Sequence, residues 1–156
     1  MTPPDTILSL LRVRLGDAVL ALPATAVREI VRAVAITPLP GAPAIIEGAI
    51  NVRGALVPVL DIRGRLQLPA RPLDPDQFLV MMQAGARTLA LRVDEVDDLV
   101  EVDADGIERT SALSPALRGL AGLSARADGV LVIYDPAAFV SAAESEALDA
   151  ALAANA

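Results

Sequence analysis

Apolar and polar residues alternate in short runs along most of this chain, and turn-forming Gly, Pro and Asp separate the runs. From Leu10 to Leu15 the apolar Leu11, Val13 and Leu15 fall on one side and Arg12 and Arg14 on the other, the period-two signature of a half-buried strand. Gly16-Asp17 predicts a turn, Ala18–Leu22 a returning strand stopped by Pro23, and Val27–Val31 a short third strand. Pro38, Pro40, Gly41 and Pro43 make the stretch from Ile36 to Pro43 a loop. Gly48 to Asp61 then reads as two β-arms joined by a tight turn at Arg53-Gly54, where Gly54 can take a positive φ without a Cβ clash. Pro58 cannot donate to a sheet ladder, so its arm is expected at an edge or beside a bulge. Asp61 is placed to cap a short helix through Leu66, ended by Pro69.

The connector Ala70–Asp76 carries Pro72 and Pro75 and is the natural boundary within the chain. Beyond it Phe78–Met82, Arg87–Val93 and Val96–Val102 read as strands, Asp103–Leu117 as loop with a short helical turn, and Leu120–Ala125 with Val130–Tyr134 as a last hairpin. Asp135-Pro136 starts a C-terminal helix over 136–154, with Phe139, Val140, Ala143, Ala147, Leu148 and Leu152 as its apolar stripe.

The two halves echo one another. Leu15–Leu22 lies over Ala84–Leu91 with Gly, Leu, Ala and Leu coinciding, and in the same register Val27–Val31 falls on Val96–Val100. Gly48–Asp61 and Gly122–Asp135 are equally long, and both end in two apolar residues and Asp. This predicts a mainly β protein of two small five-stranded SH3-like β-barrel subdomains packed together, at about 8–69 and 76–140, since short returning strands favour closed barrels. A tail over 1–7 and the C-terminal helix complete the plan.

Composition removes most chemistry. The chain has no Cys and no His, so disulfides, thiol nucleophiles, zinc sites and histidine acid–base catalysis are excluded. Lysine is also absent, which leaves Ser111 and Ser114 without an activating base. A net charge of −7 disfavours nucleic acid and anionic lipid, and 2% aromatic residues make a base-stacking platform implausible. No apolar run is long enough to cross a membrane, so a cytoplasmic protein is expected, with no cofactor.

Two clusters merit attention. Asp94, Glu95, Asp97 and Asp98 could attract a hard cation but lack calcium-loop order, and solvated acids at a strand junction are the plainer expectation. The second is Glu29, which alternation puts on one face with Val27 and Val31. Either it is paired inside the fold, with Arg53 the nearest candidate, or the valines are exposed and the patch binds a partner.

Leu20-Ala21-Leu22-Pro23 followed by Val27-Arg28-Glu29-Ile30 resembles the opening of CheW-like chemotaxis adaptors. The loop Pro38–Pro43, then Gly48-Ala49-Ile50-Asn51-Val52-Arg53-Gly54 and Val57–Arg63, is similar to that family's most diagnostic segment. Val93–Val96 and Leu131–Asp135 continue the likeness, which covers about 8–140. The resemblance implies two packed five-stranded barrels and a non-enzymatic adaptor. It implies as partners the cytoplasmic tip of a methyl-accepting chemotaxis receptor and the regulatory domain of the histidine kinase CheA. It also implies that Val27, Glu29, Gly48 and Arg53 are partner-binding positions, which favours the surface explanation of Glu29. An adaptor for another output such as twitching motility, or a small-ligand or metal-binding barrel, are the competing readings.

Overall fold

The computed structural model describes residues 7–103, 107–108, 120–126 and 129–155. The strands are β1 (Ile7–Leu15), β2 (Ala18–Pro23), β3 (Val27–Arg32), β4 (Ile46–Val52), β5 (Ala55–Leu60), β6 (Phe78–Ala84), β7 (Arg87–Val93), β8 (Glu95–Asp103), β9 (Ile107–Glu108), β10 (Leu120–Arg126) and β11 (Gly129–Tyr134), followed by helix α1 (Ala142–Ala154). They form two sheets, one ordered β8-β1-β2-β11-β10-β9 (lobe I) and one ordered β3-β6-β7-β5-β4 (lobe II). Most of the tail and most of 103–117, including Ser111 and Ser114, lie outside the described residues.

The lobes share one plan, and the pairing repeats in detail. Val13 pairs with Val96 and Leu11 with Leu99 across a bulge; Met82 pairs with Val27 and Val80 with Ile30 across the matching bulge. The parallel contact Ile133–Ala21 in lobe I is matched by Val59–Ala90 in lobe II. The hairpins bulge at Leu120/Gly122 and at Ile46/Gly48. Each sheet is drawn round on itself where the chain beyond β8 or β3 meets the last hairpin, through Glu108–Leu123 in lobe I and the bridge Thr37–Ala49 in lobe II.

The lobes do not, however, follow the two halves of the sequence. Hairpin β1–β2 belongs to the lobe of β8–β11, and β6–β7 joins β3–β5, so boundaries at about 8–69 and 76–140 do not describe the sheets. The physical reason is that both exchanged hairpins are buried on both faces. Leu79, Met81 and Ala90 fill lobe II's own core, while their neighbours Val80, Met82, Leu89 and Leu91 point into a core shared with Leu20 and Leu22 of lobe I. Ala21 does the equivalent for lobe I, beside Leu10, Val100 and Leu131. An apolar interface of this kind makes the lobes one rigid body rather than two swinging domains.

Three local expectations change. Strand β5 is an inner strand, not an edge, and the other placement expected for Pro58 holds: it pairs with Ala49 beside the Ile46/Gly48 bulge, and the ladder with β7 begins only at Val59. Asp61 caps a single turn, accepting from the Arg63 amide at 3.0 Å, and Gln67 at φ 57° turns the chain away before a helix forms. Asp135 caps only the 3-10 turn Pro136–Ala138, and α1 starts later with Ser141 as N-cap. There the Glu144 amide donates to Ser141 Oγ at 3.1 Å and the Ser141 amide donates to Glu144 Oε1 at 2.9 Å, a reciprocal box. Its apolar contacts are carried by Leu148 and Ala151, with Phe139 ahead of the helix stacked on Tyr134 at 5.8 Å. Ser141→Ala is expected to cost about 1 kcal/mol and to lower the thermal midpoint by roughly 2–4 °C, read by circular dichroism melting.

Candidate functional site

The β4–β5 hairpin sets up the site. Arg53 and Gly54 both have positive φ, 50° and 88°, the geometry of a two-residue turn whose twist matches the strands. Asn51 Oδ1 accepts from the Gly54 amide at 2.8 Å and holds the turn closed. A non-glycine residue in the left-handed region costs on the order of 1 kcal/mol, so the fold keeps arginine here at some expense. From this tip Arg53 Nη2 donates to Glu29 Oε2 at 2.8 Å. Both ends meet water, the Arg53 side chain being 76% and Glu29 37% exposed. The hydrogen bond and charge of Arg53 hold the Glu29 carboxyl below its usual range, and Glu29 raises the guanidinium in turn. The pair is therefore intact above ordinary carboxylate pKa values and is lost only on acidification.

The two explanations of Glu29 were thus not exclusive: it is paired with Arg53, and it is at the surface. The valines beside it are not exposed. Val27 packs against the shared core and Val31 against the lobe II core, because Val27, Glu29 and Val31 form the inward face of β3. Gly48 is buried as well. A Cβ there would overlap the Thr37 carbonyl oxygen and lie 2.7 Å from Ile36 Cγ2, so glycine is what lets the loop after β3 bridge to Ala49. Of the four residues, Glu29 and Arg53 present side chains to solvent; Val27 and Gly48 hold the backbone behind them.

Around the pair lies an open groove lined by Arg28, Leu56, Pro58, Met81, Arg87 and Leu152 among others. Leu56 is 50% exposed and was not singled out from the sequence. Its place in the alternation of β5 was legible, but the contribution of Leu152, some hundred residues away on α1, was not. That helix is fastened by Arg65, which donates to both Glu144 carboxylate oxygens at 2.6 and 2.7 Å, and by the ion pair Arg87–Asp149.

The acidic cluster divides: Glu95 and Asp98 stand in solvent as expected, 66% and 64% exposed, while Asp94 and Asp97 are held inside by partners. Asp94 lies at the crossing from β7 to β8 and accepts from the Gly16 amide at 2.6 Å, from Gln77 Nε2 at 2.9 Å, from Arg71 at 2.8 Å and from Arg63. Burial resists its ionisation, but the four donors outweigh burial and keep the carboxyl far below its usual range. Gln77, fully buried, passes the network to Arg92, which donates to Gln77 Oε1 at 3.0 Å, Glu47 at 2.6 Å and Asp61 at 3.2 Å. Asp97 binds Arg14 at 2.8 Å and Asp98 binds Arg12 at 3.2 Å. Among the described residues no group of acidic side chains is arranged to hold a metal ion. Nor is any helix there long and apolar enough to cross a membrane.

The CheW-like domain matches this chain across residues 9–144. The chain belongs to the CheW-like family. It is similar to a probable chemotaxis protein CheW of Rhizobium etli, 31% identical over 145 residues that cover 88% of this chain and 90% of that protein. It is 36% identical over 101 residues to a chemotaxis protein CheW of Rhizobium meliloti, with 65% of each chain covered. The scaffolding protein TtCheW of Thermoanaerobacter tengcongensis has the same fold, with a TM-score of 0.75 at 25% identity over 83% of this chain and 89% of that one. Membership in the family accords with the two packed β lobes, and the matched region contains the Glu29–Arg53 pair and most of its groove.

Proposed function

We propose that this protein is a non-enzymatic, cytoplasmic adaptor that couples methyl-accepting chemotaxis receptors to the histidine kinase CheA, engaging a receptor tip and a kinase regulatory domain. The observation that carries the reading is the water-exposed Glu29–Arg53 pair on the rim of an open groove, in a chain of the CheW-like family. A surface ion pair this exposed adds little to folding, so its arrangement is better suited to recognition than to stability. The shared core supports a geometric mechanism, because faces on a rigid two-lobed body keep their bound partners in fixed relation. Contacts of about 800 Å² per partner and micromolar strength suffice when an array holds several together. Val27 and Gly48 serve the same surface from behind.

Capture of a receptor signalling tip and of a kinase regulatory domain by the immobilised protein tests the proposal. Glu29→Lys and Arg53→Glu are each expected to move the thermal midpoint by no more than about 2–4 °C while weakening capture of at least one partner about tenfold or more. The double exchange Glu29→Arg with Arg53→Glu restores part of it if the pair itself is recognised. Unfolding of either single variant, or full capture by both, overturns the reading.

A further inference from the structure

Arg28 breaks the alternation of β3. A regular strand would put it on the face opposite Glu29, yet these consecutive residues both line the open groove. The cause is the bulge in the β3–β6 ladder, where Val27 pairs with Met82 and Glu29 with Met81, so that Arg28 is the extra residue between them. A bulge of this kind re-aims the extra side chain. The matching bulge of lobe I, between Val96 and Leu99 on β8, carries Asp97 and Asp98, and both are paired, with Arg14 at 2.8 Å and with Arg12 at 3.2 Å. Arg28 is exposed and has no carboxylate within ion-pair distance among the described residues. The groove's other charges are matched: Glu29 holds Arg53, and Asp149 of α1 holds Arg87. One positive charge is therefore left over near the exposed Leu56, in a chain whose net charge is −7.

We infer that Arg28 is a specificity-determining residue of the groove, and that the protein segment docking there carries a carboxylate beside an apolar stripe. Charge complementarity and the apolar lining select this occupant: the stripe covers Leu56, Pro58 and Leu152, and the carboxylate meets Arg28 on the β3 side. A guanidinium takes a carboxylate through two parallel hydrogen bonds, a geometry that a lysine does not offer. Docking withdraws the new pair from water and so strengthens it. A purely apolar segment would desolvate Arg28 without giving it a partner, and a basic one would meet it with like charge. Resting on the groove as a partner-binding surface, the assignment of Arg28 adds the sign of the charge that the partner must bring.

Biolayer interferometry of the full chain against a receptor signalling tip and a kinase regulatory domain tests this. Glu29→Lys first shows which of them occupies the groove. Against that partner Arg28→Gln is expected to bind about threefold to tenfold more weakly and Arg28→Glu roughly tenfold or more, and about 0.5 M salt should narrow both differences. Arg32→Gln is the control for net charge, because Arg32 is also exposed on β3 but lies outside the groove, over the Phe78 ring at 4.6 Å; it should bind like wild type. Changing the partner's acidic residues to glutamine one at a time should find one whose loss removes the effect of Arg28→Gln. Thermal midpoints verify that every variant is folded. If wild type captures neither partner, or Glu29→Lys weakens neither, the adaptor reading fails and the role of Arg28 falls with it. If wild type binds but the Arg28 variants bind equally well, Arg32→Gln loses as much, or no acidic residue of the partner couples to Arg28, the adaptor reading stands and the proposal alone is overturned.

Discussion

Asp94→Asn is expected to destabilise the protein by about 3–5 kcal/mol and to lower its thermal midpoint by roughly 6–12 °C or more. The substitution keeps the shape of the side chain and removes its charge. Arg63, 5% exposed, then faces a neutral amide while remaining ionised, because guanidinium does not deprotonate in proteins. Breaking such a pair costs more than the pair is worth in absolute terms, since the stranded cation bears the full desolvation penalty. The pH dependence has a definite sign. Asp94 is depressed in the folded state, so its contribution is complete above the unfolded carboxylate pKa of about 3.9 and is lost as pH falls through the lower folded value. Urea denaturation below pH ~4 should therefore narrow the gap between wild type and Asp94→Asn, and a gap that widens instead would show the wrong group to be responsible.

Gly48→Val is expected to be the second large perturbation, costing about 2–3 kcal/mol, with Gly48→Ala milder. The Cβ would meet Thr37 backbone at 2.8 Å from its carbonyl carbon, and backbone cannot rotate out of the way as a side chain can. Relief requires moving the loop after β3, which breaks the reciprocal Thr37–Ala49 hydrogen bonds of 3.0 and 2.8 Å. Hydrogen exchange should show the Thr37 and Ala49 amides losing protection before those of β6 and β7. If Gly48→Ala instead abolishes partner capture with stability and exchange unchanged, then Gly48 is itself a contact point and the backbone account fails. The contrast with Glu29→Lys is informative, since Glu29 places a side chain in water whereas Gly48 matters through the absence of one in the interior.

Strand positions were legible because the period-two alternation is a local property. Every described strand from β1 to β8 was recognised to within a few residues, and so was the Arg53-Gly54 turn. The C-terminal helix was legible in type but not in onset. Asp135-Pro136 satisfies the cap rules as well as Ser141 with Glu144 does, yet the first caps a turn that ends at Ala138 and the second starts the helix at Ala142. Glu95 and Asp98 are solvated as expected, but Asp94 and Asp97 are not, because their partners Arg63, Arg71, Gln77 and Arg14 are distant in sequence. The Glu29–Arg53 pairing was left open for a related reason: alternation gives a face, not the neighbour across it.

The amino-acid sequence by itself determined the elements, the repeat that relates the two lobes, the absence of Cys, His and Lys chemistry, and the motif of the β4–β5 hairpin. The tertiary structure decided which hairpin serves which lobe, and therefore that one core joins both. It also decided that Asp94 is clamped, that Val27 and Gly48 stand behind the surface, and that Glu29 and Arg53 meet on it. The division has a physical cause. Periodicity and turn chemistry act within a few residues, whereas strand exchange and ion pairing are settled by which long-range contacts bury the most apolar surface without stranding a buried charge.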